Sequence, residues 1–156
     1  MSYASGTQVP EYRSRAEIER LLMRYGADEF GYVTRKAEAL IGFVYNGIRI
    51  QMSVPLPDRE DPKFASTPTG RTTRSDSRAF NEWQKEIRRR WRSLCLVIKA
   101  LLVGVDDGVL RFEEAFLPYV VMGDGLTICQ HVLPHMQKAL ESGRMPNTLR
   151  QLESLP

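Results

Sequence analysis

Residues 77–105, SRAFNEWQKEIRRRWRSLCLVIKALLVGV, predict one long helix. Large apolar side chains recur every three or four residues through the whole stretch, which is the period of a helix with one buried face. We call these positions the apolar stripe: they are Phe80, Trp83, Ile87, Trp91, Leu94, Ile98, Leu101 and Val105. The rest of the chain must supply a surface against which this stripe packs.

The two halves of this helix differ in character. Basic residues dominate before position 93 and apolar residues after it. We therefore expect the N-terminal half to be covered on one side and the C-terminal half on most sides. Arg88, Arg89 and Arg92 fall away from the apolar stripe, at about 100° per residue, and are expected to face solvent.

Local signals mark the ends and one side of the helix. Ser75 or Asp76 is expected to cap its first turn, and Gly108 can take the left-handed conformation that ends a helix. Glu86 precedes Arg90 by four residues, which favours an ion pair along the helix.

A hairpin is predicted from Asn46-Gly47, the two-residue signature of a type I′ turn. This turn sets a register with four apolar pairs on one face of the sheet. The pairs are Tyr45 with Ile48, Phe43 with Ile50, Ile41 with Met52, and Ala39 with Val54. The opposite face is half polar, so a slip of one residue would expose the whole apolar set to water.

Two further elements are predicted before the hairpin. Ser14 and Glu17 have the spacing of a capping box, which predicts a helix over about Ala16–Tyr25. Glu29–Val33 is expected to be a strand that pairs with the hairpin. Together these strands form an antiparallel meander of three strands.

The segment after Gly108 is expected to hold shorter elements. Phe112–Leu117 has the pattern of a short helix ended by Pro118. Residues 119–122 and 126–128 flank the glycine-rich turn 123–125, which favours a second, smaller hairpin or a strand and turn.

A last helix is predicted up to Ser142. Thr127 and Gln130 have the spacing of a capping box. Its regular part is expected after His131, because Pro134 lacks an amide hydrogen, and Gly143 is expected to end it.

The predicted fold class is α+β, with a three-stranded antiparallel meander packed on one long helix and shorter helices at the N- and C-terminal ends. Residues 1–13 are expected to be a flexible tail and residues 143–156 a second tail. A single domain spans residues 14–142. Within it, residues 55–75 form a long connection without periodicity, which is expected to be either functional or disordered.

Composition narrows the class of protein. Of 156 residues, 42% are hydrophobic and 26% charged, which is ordinary for one globular domain. No apolar run approaches the ~20 residues of a membrane span, and no secretion signal is evident in residues 1–7, so a cytoplasmic protein is expected. Cys95 and Cys129 lie in apolar sequence and are expected to be buried free thiols rather than a disulfide.

Charge is distributed unevenly along the chain. Residues 71–92 hold eight basic and three acidic residues, a net charge of +5, whereas the whole chain carries +3 and the remainder therefore −2. Such local concentration favours a polyanionic partner. The alternative is a solvated helix face, which most runs of charge are.

Several segments resemble an uncharacterised family of small proteins carried by bacteriophages and prophages. They are Tyr25-Gly26-Ala27, residues 55–59 (PLPDR), Arg90-Trp91-Arg92, residues 96–100 (LVIKA) and residues 143–146 (GRMP). The resemblance covers most of the chain between the tails and implies no particular chemistry. It implies a phage context, either genome handling or interference with the host.

A metal site was considered at Cys129, His131 and His135, because histidines four residues apart share a helix face. Pro134 disturbs the helix there, and Cys129 and His131 diverge around the axis. Ordinary packing and surface roles are therefore favoured, and neither a metal nor a cofactor is expected.

The carboxylates and the glycine-rich turn do not have the pattern of a catalytic site. Glu113 and Glu114 are adjacent, so on a helix their side chains diverge by about 100°. Asp106 and Asp107 belong to a turn. Gly123-Asp124-Gly125 is too short for a phosphate loop and lacks the lysine that follows one.

The predicted function is a small, non-enzymatic nucleic-acid-binding protein of phage type, with a basic helix and loop on the phosphate backbone of DNA or RNA. The predicted contacts are Arg71, Arg74, Arg78, Lys85, Arg88, Arg89 and Arg92. The aromatic residues between them are expected to serve the core. Two alternatives stay open: a protein-binding inhibitor or modulator of an acidic host complex, and an enzyme with an unrecognised site. No membrane partner is expected, and homo-oligomer formation is left open.

Overall fold

A computed structural model of the chain describes residues 9–67 and 72–143. The helices are α1 (Glu11–Arg24), α2 (Pro62–Ala65), α3 (Asp76–Asp106), α4 (Phe112–Phe116) and α5 (Ile128–Ser142), and a 3-10 turn spans Leu117–Tyr119. The strands are β1 (Glu29–Thr34), β2 (Glu38–Tyr45) and β3 (Ile48–Pro55), which form one antiparallel sheet in that order. The predicted α+β fold, a meander packed on a long helix, is confirmed.

The long helix α3 extends one residue beyond its predicted span at each end. Ser75 occupies the N-cap position without a capping hydrogen bond from its side chain to a backbone amide, and Gly108 follows the end of the helix with φ +68°. The apolar stripe faces the core: its central members, Ile87, Trp91, Leu94 and Ile98, are buried and the outer ones are partly buried.

The prediction that the C-terminal half of α3 is covered on most sides is wrong. Val97, Lys99, Ala100 and Val103 are all exposed. One sheet offers one face, and a helix that packs on it buries one stripe. The apolar composition of this half therefore exceeds the surface available to cover it.

The hairpin of β2 and β3 has the predicted register, with Tyr45 opposite Ile48 and Ala39 opposite Val54. Asn46 and Gly47 have φ of 48° and 76°, as a type I′ turn requires. Alternate residues of both strands are buried, so one face of the hairpin forms the floor of the core.

Helix α1 begins five residues before its predicted start at Ala16. Pro10 occupies the N-cap position, and Glu11 lies in the first turn and pairs with Arg15 at 3.4 Å. Ser14 is fully buried inside the helix instead of capping it. The domain therefore includes part of the predicted tail; residues 1–8 lie outside the described range.

The segment between β3 and α3 is more regular than predicted. It contains α2, whose Phe64 is buried. The indole Nε1 of Trp83 donates to the carbonyl of Pro57 at 3.0 Å, which fastens this segment to α3. The described part of the predicted 55–75 connection is thus packed on the long helix.

Helix α4 closes one end of the hairpin through aromatic contacts. The ring of Phe112 stacks on Tyr45 with centroids 4.0 Å apart, and Phe116 meets Phe43 edge to face at 5.7 Å. The predicted second hairpin over residues 119–128 is reduced to single bridges, one from Val120 to the edge of β3.

Helix α5 begins with the predicted capping box, in which Gln130 N donates to Thr127 Oγ1 at 3.3 Å and Thr127 N to Gln130 Oε1 at 2.8 Å. The prediction that its regular part begins after His131 is wrong. The capping box starts the helix at Ile128, and Pro134 lies within it. Gly143 ends it with φ +62°. The second predicted tail lies, beyond Gly143, outside the described residues.

Both cysteines are free, as predicted. Cys95 is buried in the core, but Cys129, on α5, is exposed, so the prediction that both thiols are buried is wrong for one of them. Among the described helices, none combines the length and the apolarity that crossing a membrane requires.

The turn between β2 and β3 yields a first prediction. Replacing Asn46 and Gly47 together with valine should destabilise the fold by more than about 1 kcal/mol, because β-branched residues resist positive φ. Ala37→Val, in the turn between β1 and β2, is the control because Ala37 does not have positive φ. The measurement is urea denaturation, and equal stability of the two variants would contradict the assigned turn.

The core yields a second prediction. Trp91 is 1% exposed, so Trp91→Ala should lower the free energy of unfolding by about 3–5 kcal/mol through lost burial and the cavity left behind. Val109→Ala, at a position 75% exposed, should have almost no effect. A loss below about 1 kcal/mol at Trp91, in thermal or urea denaturation, would show that the stripe is not the core.

Candidate nucleic-acid interface

A basic cleft of about 690 Å³ lies between α2 and α3. Helix α3 contributes one wall, and α2 with the residues on either side of the undescribed 68–71 contributes the other. The residues that line it are Lys63, Phe64, Ser66, Thr67, Arg74, Glu82, Lys85, Glu86, Arg89 and Arg90. Five of these carry positive and two negative charge, a net charge of +3.

Arg74 builds the wall on the side of α2. Its Nη1 donates to the carbonyls of Lys63 at 3.3 Å, Phe64 at 3.3 Å and Ser66 at 2.6 Å. These carbonyls belong to the C-terminal end of α2, where a helix leaves acceptors unpaired and favours a cation. Arg74 therefore holds the chain before and after residues 68–71 together at the edge of the cleft.

Glu86 organises the arginines on the side of α3. Arg89 donates to its carboxylate through two nitrogens, the Nε at 2.8 Å. Arg90 donates through Nε at 3.1 Å and also reaches the carbonyl of Pro55 at 3.0 Å, so the predicted ion pair with Glu86 is confirmed.

These contacts shift the pKa of both Glu86 and Arg89. Hydrogen bonds from Arg89, and to a lesser degree Arg90, hold the pKa of Glu86 below its ordinary value although partial burial opposes the shift. The hydrogen bond with Glu86 raises the pKa of Arg89. Two guanidinium groups are thus fixed in place by one carboxylate, which neutralises only one of their charges.

Three of the seven predicted contacts line the basic cleft: Arg74, Lys85 and Arg89. Arg78 precedes Lys85 by seven residues, which places it two turns earlier on the same helix face. Both Arg78 and Lys85 are exposed, and neither makes an ion pair with a described residue. Arg71 lies outside the described residues.

The remaining two predicted contacts lie elsewhere. Arg92 donates to the carboxylate of Glu17, which ties α3 to α1. Arg88 is half-buried, and its Nε is buried without a hydrogen-bond partner among the described residues. The prediction that Arg88, Arg89 and Arg92 share a solvent-exposed face is wrong, because each is half-buried.

Sequence reasoning missed two cations of the basic cleft. Arg90 was assigned only an ion pair with Glu86, although a carboxylate shared between two arginines leaves net positive charge. Lys63 lies in a proline-rich connection without periodicity, so only the packing of α2 on α3 brings it to the site. It pairs with Asp61 at 2.8 Å.

Two of the three aromatic residues predicted to serve the core do so: Trp91 is buried in it and Trp83 packs against it. Phe80 is half-buried without belonging to the core, and it stacks on Trp83 with centroids 5.5 Å apart. Arg59 lies over the ring of Phe80 at 4.9 Å. These rings are therefore occupied by intramolecular contacts.

A different kind of site was examined around α5. His131 Nε2 lies 2.9 Å from Asp124 Oδ2, an arrangement that orients an imidazole in catalytic triads. The pKa of Asp124 is lowered, first by the backbone amide of Leu126 and then by His131. Cys129 lies about 200° around the helix from His131, so its thiol does not meet the imidazole.

Glu114 and Cys95 have structural roles. Glu114 caps α4, and the backbone amide of Arg111 lowers its pKa. Burial raises the pKa of Cys95 to about 11, so this thiol stays protonated at neutral pH. Within residues 9–67 and 72–143, no three His, Cys, Asp or Glu side chains are grouped to hold a metal.

Comparison of the chain with models of protein families, with curated proteins and with solved structures finds no match. The basic cleft is therefore interpreted from its own chemistry.

The ion pairs of Glu86 yield a third prediction. A carboxylate whose pKa is lowered by folding stabilises the fold above its unfolded pKa, and this contribution is lost as the pH falls through the folded pKa. Glu86→Gln should therefore cost about 1 kcal/mol at pH 7. The difference from the native protein should shrink as the pH falls below 4.5, the ordinary value for this group.

The control for this prediction is Glu82→Gln, which removes a charge from the same wall of the basic cleft without breaking a described ion pair. Urea denaturation at several pH values measures both variants. A cost at Glu86 that does not change between pH 7 and pH 3 would contradict the assigned ion pairs.

Proposed function

We propose that the protein binds nucleic acid without catalysing a reaction on it, and that the basic cleft and the adjoining exposed face of α3 hold the phosphate backbone. The observation that carries this proposal is the convergence of five cations, from two separate segments of the chain, on one cleft of about 690 Å³. Cations from separate segments of the chain repel one another when folding brings them together. Their convergence on one cleft therefore favours a polyanionic partner.

Guanidinium groups suit this role because their planar donors match phosphate oxygens. Glu86 holds Arg89 and Arg90 in fixed orientations, which lowers the entropy that these side chains would lose on binding. Contacts of this kind position a nucleic acid and carry no sequence information. Binding is therefore expected to be weakly selective among sequences.

The cations divide into two groups. Arg74 and Arg89 make intramolecular hydrogen bonds that shape the cleft. Lys85 and Arg78 are exposed and unpaired among the described residues, so their charge is available to a partner. We therefore assign the larger part of the electrostatic attraction to these two.

A phage-borne protein that handles the genome fits this proposal, and the host-directed alternative uses the same surface. An acidic protein would pair its carboxylates with the cations of the basic cleft. The two partners differ in one measurable respect, because a nucleic acid releases condensed counterions when it is bound.

Binding to labelled single- and double-stranded DNA and RNA yields a fourth prediction. At about 50 mM salt the electrostatic contribution is large, and if about four phosphates are neutralised, log affinity should fall against log salt with a slope near −3 to −4. Arg78→Glu combined with Lys85→Glu should weaken binding at least about tenfold and flatten the slope, since both the contacts and their sign change.

Lys99→Glu is the matched control, because it makes the same reversal on the exposed C-terminal half of α3. It should alter affinity far less than the double reversal, and thermal denaturation should show both variants folded. Absence of binding to every probe at about 50 mM salt would overturn the proposal and favour the acidic protein partner. Binding that resists the double reversal would place the site elsewhere.

A further inference from the structure

Helix α5 carries an apolar face that the described chain leaves largely exposed. Its apolar side chains fall within an arc of about 140° at 100° per residue. We call them the α5 face: Ile128, Cys129, Val132, Leu133, Met136, Ala139 and Leu140. None of them is buried, and Val132, Leu133, Met136 and Leu140 are between 44% and 79% exposed.

A groove continues this face onto the preceding turn. It measures about 260 Å³ and is lined by apolar side chains of α5 and by Leu117 and Pro118. Leu117 is itself half exposed. The largest contiguous apolar surface of a monomer is often a site of association.

The charges of α5 lie outside the α5 face. His131, Lys138 and Glu141 fall on the opposite side of the helix at 100° per residue, and His135 lies beside the edge of the face next to Ile128. With neutral histidines, one lysine and one glutamate leave no net charge on the helix. This surface therefore offers nothing to a polyanion, and it does not repel an identical surface.

We propose that the α5 face is a dimer interface, and that its partner is the α5 face of a second copy of this chain. A two-fold axis brings the same patch of both copies together, and such isologous dimers are the commonest oligomers. The two helices lie antiparallel, and each packs against the groove of the other.

The apolar pattern supports this pairing. Ile128, Val132, Met136 and Leu140 are spaced four residues apart and lie symmetrically about position 134. Turning the helix end over end therefore superposes the pattern on itself. In the antiparallel arrangement apolar side chains meet apolar side chains along the whole length of α5.

The area is sufficient for a modest interface. Burying one such side chain completely removes roughly 60–120 Å² from water. Val132, Leu133, Met136, Leu140 and Leu117 together keep the exposure of between two and three whole side chains, so each copy supplies roughly 150–350 Å². Apolar atoms make up about 65% of homodimer interfaces, which implies a total of roughly 450–1,100 Å². The upper end of this range reaches the lower limit of specific interfaces, about 1,000–1,200 Å², so a weak, reversible dimer is expected.

This inference is independent of the proposed function, because α5 contributes no residue to the basic cleft. It also places association on a different surface from the apolar stripe, which is used by the core.

Sedimentation velocity of the full chain between about 1 and 200 µM tests the dimer, since a modest interface is expected to dissociate in this range. The native protein should shift from the 17.9 kDa of one chain towards twice that mass. Val132→Glu combined with Met136→Glu should remain at 17.9 kDa throughout. Because no side chain of α5 is itself buried, this variant should keep the native melting temperature within about 2 °C.

Val109→Glu is the control: it places the same charge on an exposed valine outside α5, and it should dimerise like the native protein. Cys129 supplies a second readout, because its exposed thiol lies on the α5 face while Cys95 is buried. Its reaction rate with a thiol reagent should fall as protein concentration rises, and should not fall in the double variant.

A native chain that stays monomeric at 200 µM would overturn the proposal and leave the α5 face to a different protein. A dimer that survives Val132→Glu with Met136→Glu, or a Cys129 rate that is independent of concentration, would also overturn it.

Discussion

The fold depends on the burial of one stripe of α3 against one face of the sheet. Trp91 and Ile98 on the helix and Ile41 and Ile50 on the strands are all buried in the same core. The hydrophobic effect stabilises this contact in proportion to the apolar area removed from water. Helix α1 adds Ile18 to the same core, so its position depends on how α3 meets the sheet.

Length then determines where the basic cleft forms. At 1.5 Å per residue, the 31 residues of α3 extend about 46 Å, whereas the eight residues of β2 extend about 26 Å at 3.3 Å per residue. Helix α3 is therefore longer than the strands on which it packs. Helix α2 packs on α3 through the buried Phe64, and the cleft is the space left between these two helices.

Electrostatics divides the arginines of α3 into those that build the protein and those that remain available. Arg92 pairs with Glu17 on α1, and Arg89 and Arg90 share Glu86. Lys85 and Arg78 take no part in these pairs and lie on the exposed face of α3. A run of positive charge in a sequence therefore overstates the charge that a partner meets, because part of it is used to join helices.

Short-range patterns in the sequence determined the helices, the hairpin and its register. Asn46-Gly47 and the alternation that follows it allow one register, because a slip would expose an entire apolar face. The period of α3 identifies the buried residues between Ile87 and Ile98 on its stripe. Local rules failed where tertiary contacts competed with them. Ser14 matches a capping box, but its position on the core face of α1 made it an interior residue.

Only the tertiary structure decided which cations share a site and which apolar faces stay open. Lys63 and Arg74 lie near Lys85 because α2 packs against α3. No periodic pattern in residues 55–75 indicates that contact. Cys129 and its neighbours on α5 have the composition of a core helix, yet they are exposed. Amphipathic spacing specifies that a face will be buried against something, whereas the partner depends on surfaces that are assembled only when the whole chain is folded.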